Sequence, residues 1–305
     1  MVDMEQARRV RASQGFTGVL SGVSLAPTNV DEALASLDTV AERLQADGDA
    51  LAAFPDIYGI ITRKVAEQIV RPDGMFLESG WISRLAGRFC ERYLETLRWS
   101  MERRPQDCEA WGATYACSSM RRTLPVQHVM LGLSAHINFD LALGIYETIR
   151  EFGHADDAEQ MARYKHDHDA VNNLLLASVS EAFEHLVERH GCTLSAAIYA
   201  HAYAPAKWLT MKMLTRWRGT VWNNVLALLA AKSDAERDQV IAKMARRSGR
   251  WGFLLKLPSD ILSRLFDAPA RVTATARVIP ISKAAKSSRF EHDLRDLGKD
   301  GRLCA

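Results

Sequence analysis

The chain has 305 residues, 48% of them apolar and 25% charged, with a formal net charge of +2. This balance excludes a largely disordered, collagen-like or disulfide-scaffold chain, and the length suits one large domain or two small ones. Residues 271–305 hold eight basic and four acidic side chains, which leaves 31 and 33 for the rest; no basic face broad enough for nucleic acid stands out.

Nearly every segment has the helical period. Leu34, Leu37, Val40 and Leu44 recur at three or four residues after Thr28 and Asn29 as candidate N-caps. Ile57, Ile60, Ile61, Val65 and Ile69 form a second stripe that Pro72 ends. Trp81 to Arg103 reads as a long amphipathic helix closed by Pro105, and a short helix follows from about Cys108 to Met120. Pro125 suits the first position of a helix running to Phe152 and ended by Gly153. Asp156 to His190, with Asp156–Asp157 at its start as cap and dipole partner, ends at Gly191.

Pro205 to Ala231 is another helix. Ser233 with Glu236 forms a capping box for a helix to about Arg247, and Pro258 to Phe266 is a last short turn. Arg271 to Ile281 is the only strand-like stretch. The expectation is therefore an all-α single bundle of about nine helices over residues 28–267. An N-terminal extension, 1–27, precedes it, and a basic, irregular tail, 268–305, follows.

Five cysteines with no CxxC spacing argue for reduced thiols and a cytoplasmic protein. Arg8, Arg9 and Arg11 are not followed by an apolar stretch and cleavage site, so no secretory signal is expected. Thr123 to Tyr146 carries one formal charge, Asp140, but also Gln127, His128, His136 and Asn138. Such a run reads as a buried helix rather than a transmembrane span.

That helix holds the most informative constellation, Gly132-Leu-Ser134-Ala-His136-Ile-Asn138-Phe-Asp140. His136 and Asp140 share a helix face, with Gly132 one turn earlier. A mid-helix glycine costs about 1 kcal/mol against alanine, so close approach of a neighbour or ligand is the better reason for it. Buried Asp140 needs a partner: a metal ion held jointly with His136, the imidazole in acid–base work, or a purely structural bond that locks helices.

On the following helix, Asp169 with Asn172 or Asn173 is the expected inward polar group, set beside His136 by an antiparallel packing. His166, Asp167 and His168 are read as a solvated face. Arg218 and Trp222 share a face, where the arginine would hold a phosphate or carboxylate. Tyr58, Thr62 and Arg63 are further pocket candidates. No nucleotide-binding, HExxH, GxSxG, ExxH or DDxxD signature occurs, and no nucleotide cofactor is expected.

The run Met130 to Ala142 resembles the LLGxNAHINxDLP segment of a bacterial family of unknown function, number 5995, with Ser134 for its Asn and Ala142 for its Pro. Looser similarity covers about residues 55–230, including Ile57–Val65, Trp81–Leu97, Asp169–Leu175 and Arg218–Trp222. A weaker similarity is to zinc-dependent phospholipase C and P1-type nucleases, which use an HxxxD helix but need more histidine ligands than follow here.

These readings converge on a small-molecule enzyme whose pocket lies inside the bundle. His136, Asp140 and Asp169 would bind one divalent metal ion or act as an acid–base set. Asn138, Ser134, Asn173, Arg218, Trp222 and Tyr58 would bind substrate. Metal-assisted hydrolysis or elimination at a phosphate ester is the first expectation. A terpene-like cyclisation in an aromatic pocket is the second, and a non-catalytic helical binding module the third. The sequence leaves the oligomeric state open.

Overall fold

Nine helices and no strand form among the described residues, 18–102, 109–118 and 123–265 of the computed structural model. They are α1 (Val30–Ala46), α2 (Ala53–Val70), α3 (Ser79–Met101), α4 (Glu109–Ser118), α5 (Pro125–Phe152), α6 (Ala158–Glu188), α7 (Thr193–His201), α8 (Tyr203–Ala230) and α9 (Asp234–Leu265). The expected all-α bundle is therefore the observed fold. The strand-like stretch 271–281, Pro105 and the tail 268–305 lie outside the described residues.

Local chemistry accounts for several helix ends. Asn29 accepts from the Glu32 N–H, while the Glu32 carboxylate reaches back to the Thr28 N–H, so two orphan donors at the start of α1 are satisfied. Pro125 opens α5, and Gly153, at φ 77°, closes it. Asp157 caps α6 through the Glu159 and Gln160 N–H groups.

Two expectations about the C-terminal half need correction. Thr193–His201 is a separate helix, and the stretches placed at 233–247 and 258–266 are one continuous helix, α9. Gly249 and Gly252 do not stop it, because they serve packing. A Cβ at Gly249 would lie 2.9 Å from Glu109 Cγ, and one at Gly252 would lie 2.8 Å from Ala113 Cβ. The two glycines let α9 close onto α4.

The centre of the bundle is α5, against which α2, α3, α4, α8 and α9 pack. By length and composition it is the described helix that would suffice to cross a membrane, and 83% of its most apolar stretch is buried by its neighbours. Burial on all sides explains why it is apolar all round. Ile137, Leu141, Ala142, Ile145 and Ile149 of α5 join Trp81, Ile82 and Leu85 of α3 and Trp217, Val221 and Val225 of α8 in the main core cluster. The segment 18–27 lies against α1, with Val19 buried and Arg43 donating to the Gly18, Val19 and Ser21 carbonyls. Cys90, Cys117 and Cys192 are buried in the interior.

Candidate functional site

Residues His136–Asp140 form one π turn inside α5, where the Leu141 N–H donates to the His136 carbonyl five residues back. Single π turns within α-helices recur at functional sites because they re-aim side chains without breaking the helix. Here the turn carries His136, Ile137, Asn138 and Asp140, all buried.

The His136 Nδ1–H donates to Asp140 Oδ2 at 2.8 Å, and the Trp111 Nε1–H of α4 donates to the same oxygen at 2.9 Å. With Nδ1 committed to the carboxylate, Nε2 carries the imidazole lone pair. Nε2 is buried and has no protein partner. Burial holds the imidazole below its ordinary pKa, against the opposing pull of Asp140.

An aromatic cage surrounds the ring. Phe89 stacks on it with centroids 3.4 Å apart and planes within 7°, and Tyr58 meets it edge-on at 4.9 Å. Phe54, Tyr93 and Trp111 complete the cage at 5.8, 6.2 and 6.0 Å. Gly132 has the packing reason expected of it: a Cβ there would sit 2.4 Å from Phe54 Cδ2. The glycine makes room for one wall of the cage.

His136 lines a cavity of about 90 Å³ to which five helices contribute. Its walls are mostly apolar: Tyr58, Ile61 and Val65 of α2, Leu85 and Phe89 of α3, Leu133 and Leu141 of α5, and Val171 and Leu175 of α6. The polar groups at its other wall are His168 of α6 and Arg218 of α8. Arg218 is buried, with Nε donating to Asn172 Oδ1 at 2.8 Å and one NH2 donating to the His168 carbonyl and, at 3.2 Å, to His168 Nδ1. His168 Nε2 then carries its proton and faces the Arg218 carbonyl at 3.4 Å.

Burial, followed by the charge of Arg218, drives the His168 pKa well down. Burial also pulls the Arg218 guanidinium down to about 10, which leaves it charged at neutral pH. Among the described residues no carboxylate pairs with it. Asp169, whose charge acts on it, is exposed and bonded to Lys165 at 2.5 Å.

The expected residues thus divide. Tyr58, His136, Arg218 and Thr62 line one cavity, Asp140 orients His136, and Trp222 leans on His168 with centroids 5.9 Å apart. Ser134 and Asn138 are buried but bonded to each other, Asn138 Nδ2 donating to the Ser134 carbonyl at 2.9 Å, and neither lines the cavity. Arg63 lies on the surface, paired with Asp38.

Asp169 and Asn173 are corrected: both are exposed. The inward groups of α6 are His168 and Asn172. His168 follows Tyr164 and precedes Val171 and Leu175 at spacings of four, three and four, which puts it on the inner face; Asp169 is about 100° further round. Asp167, also read as solvated, is buried and accepts the Leu77 and Glu78 N–H groups at 2.8 and 2.7 Å, so it caps the start of α3 from a distance.

The three residues expected to share a metal ion are not brought together. Asp140 is turned to His136 and Trp111, Asp169 is on the surface, and no trio of His, Cys, Asp or Glu among the described residues is arranged to hold an ion. The bond from Trp111 to Asp140 joins two helices, and no local pattern in the sequence announces it.

No curated protein and no solved structure matches the chain. One family model, that of a family of unknown function (DUF5995), matches residues 30–258, three-quarters of the chain and every residue of the cavity wall. The chain therefore belongs to the DUF5995 family.

Proposed function

We propose that the protein is an enzyme that uses acid–base chemistry on a small, mostly apolar molecule bearing an anionic group, bound in the cavity between His136 and Arg218. One observation carries this reading. A permanent cation is buried in one wall of a cavity with only neutral partners, and the other wall holds a buried imidazole with one nitrogen free. A buried, unpaired charge is costly for a fold. An anion entering from outside supplies the missing partner, and the fork of an arginine suits a carboxylate or a phosphate.

At the other wall, Asp140 and Trp111 fix the tautomer and tilt of His136. Its Nε2 lone pair is then a general base, and the imidazolium formed on proton uptake is favoured by the Asp140 charge and the Phe89 face. Elimination or hydrolysis at a phosphate ester fits this pairing of a base with an anion site. The cage around His136 also favours a second reading, rearrangement of an apolar anion through a developing positive charge.

The test is a thermal-shift screen with matched ligands: short-chain and aromatic carboxylates and phosphate monoesters beside their neutral amides and alcohols. The anions should raise the Tm of the wild type and not that of Arg218→Met. His136→Gln should still bind them but leave them unconverted when the mixture is followed by mass spectrometry. Equal binding of the neutral partners would overturn the reading. Elemental analysis of the same samples separates the mechanisms: a near-stoichiometric ion lost in Asp140→Asn would replace acid–base chemistry with metal-assisted chemistry.

A further inference from the structure

Helix α8 has two working sides. Its inner side supplies Arg218 to the cavity, and its outer side has no acidic residue. Between Glu188 and Asp234 the sequence carries six lysines and arginines and no aspartate or glutamate. Trp208 and Leu209 are 59% and 60% exposed, unusually bare for side chains of their size. Trp208, Lys212 and Arg216 recur every four residues and form one stripe, in which Lys212 and Arg216 are also exposed.

The Lys212 ammonium lies 4.7 Å from the centre of the Trp208 ring, and the Lys207 ammonium 5.8 Å from that of Tyr203. Among the described residues no carboxylate pairs with Lys207, Lys212 or Arg216. The acidic side chain that reaches α7 beside them, Glu184, accepts the Tyr199 hydroxyl at 3.2 Å.

We propose that this face of α8 docks on a bilayer that contains anionic phospholipid. An exposed tryptophan settles at the headgroup level and a neighbouring leucine reaches the acyl boundary, while lysines and arginines on the same stripe meet the lipid phosphates. The charge pattern selects this occupant over a second copy of the chain. A two-fold contact sets a face against itself, which here brings Lys212 and Arg216 against cations of the same kind. The proposal is independent of the chemistry at His136, since it uses only the outer side of the helix.

Co-sedimentation of the full chain with vesicles of phosphatidylcholine, with and without phosphatidylserine, tests it. Binding is expected with phosphatidylserine only, and it should weaken as salt rises. Each cation removed should lower the partition coefficient about fivefold, so Lys212→Gln with Arg216→Gln should lower it about 25-fold. Trp208→Ala should lower it by about tenfold or more. Both variants change exposed positions and should keep the wild-type circular dichroism and monomer mass. No binding to phosphatidylserine vesicles, equal binding to neutral ones, or unchanged binding by the variants would overturn the proposal. So would a wild-type dimer that Trp208→Ala dissociates, because the face would then belong to a second copy.

Discussion

Replacing Gly132 by alanine tests whether the cage around His136 depends on a missing methyl group. Alanine is the better helix former by about 1 kcal/mol, so on propensity alone the variant gains stability. The new Cβ, however, would lie 2.4, 2.6 and 2.9 Å from Phe54 Cδ2, Cγ and Cε2, where ordinary contact begins at 3.4 Å. The ring must retreat by about 1 Å, and it is hemmed in by Tyr58, Tyr93, Trp111 and His136 at centroid distances of 5.9, 5.1, 5.8 and 5.8 Å. Overpacking of this kind costs about 1–3 kcal/mol, and a ring blocked by four others belongs at the upper end. The net expectation is a loss of about 2 kcal/mol.

Urea unfolding of Gly132→Ala, Phe54→Ala and the double variant isolates the contact. Phe54→Ala alone should cost about 3–5 kcal/mol by leaving a cavity. In that background the ring is gone, and Gly132→Ala should become neutral or stabilising by up to about 1 kcal/mol. If Gly132→Ala costs nothing in the wild type, or costs the same in both backgrounds, the glycine is not there for Phe54.

Two further predictions concern buried polar groups away from the cavity. His128 is buried with neither ring nitrogen partnered, and burial lowers its pKa to about 4. Its folded pKa lies below the unfolded value of about 6.5, so the unfolded chain binds the proton first and stability falls as pH drops from about 6.5 to 4, by about 3 kcal/mol. His128→Leu should be at least as stable as wild type at pH 7 and should gain about 3 kcal/mol on it at pH 4 in paired denaturant titrations; parallel pH profiles would refute the assignment. Asp167→Asn offers one acceptor to the two N–H groups of Leu77 and Glu78. It should destabilise by about 3 kcal/mol, with amide exchange accelerated at the start of α3, and a loss under about 1 kcal/mol would count against the remote cap.

The fold was legible because local signals agreed with one another. Pro125, Gly153, Asp157 and the Thr28–Asn29–Glu32 box each do in the structure what their residue types prescribe. Errors arose where a residue's meaning is set by a neighbour distant in sequence. Gly249 and Gly252 look like helix breakers until α4 is placed against them. His168 and Asp167 look solvated in a charged run, although the spacing of His168 from Tyr164, Val171 and Leu175 marks the inner face.

The candidate site was half legible for the same reason. His136 and Asp140 are four apart on one helix, and their bond can be read from spacing. Asp169 faces solvent, whereas the cavity takes His168 from that helix and its charge from Arg218, which donates to Asn172. Trp111 comes from a ten-residue helix with no marked apolar side, and only the tertiary structure brings it to Asp140.

The π turn makes α5 a helix with one spare residue. An ordinary α-helix of the same rise would need one fewer between Ala135 and Leu141. Shortening the chain by one residue within 136–140 would therefore return the segment to plain α geometry with both halves still in phase with their neighbours. The same deletion elsewhere in α5 would rotate one half by about 100° and carry its apolar side chains out of the core. Chain length within this turn is thus a variable of the site alone, and editing it separates the shape of the candidate centre from the integrity of the helix that carries it.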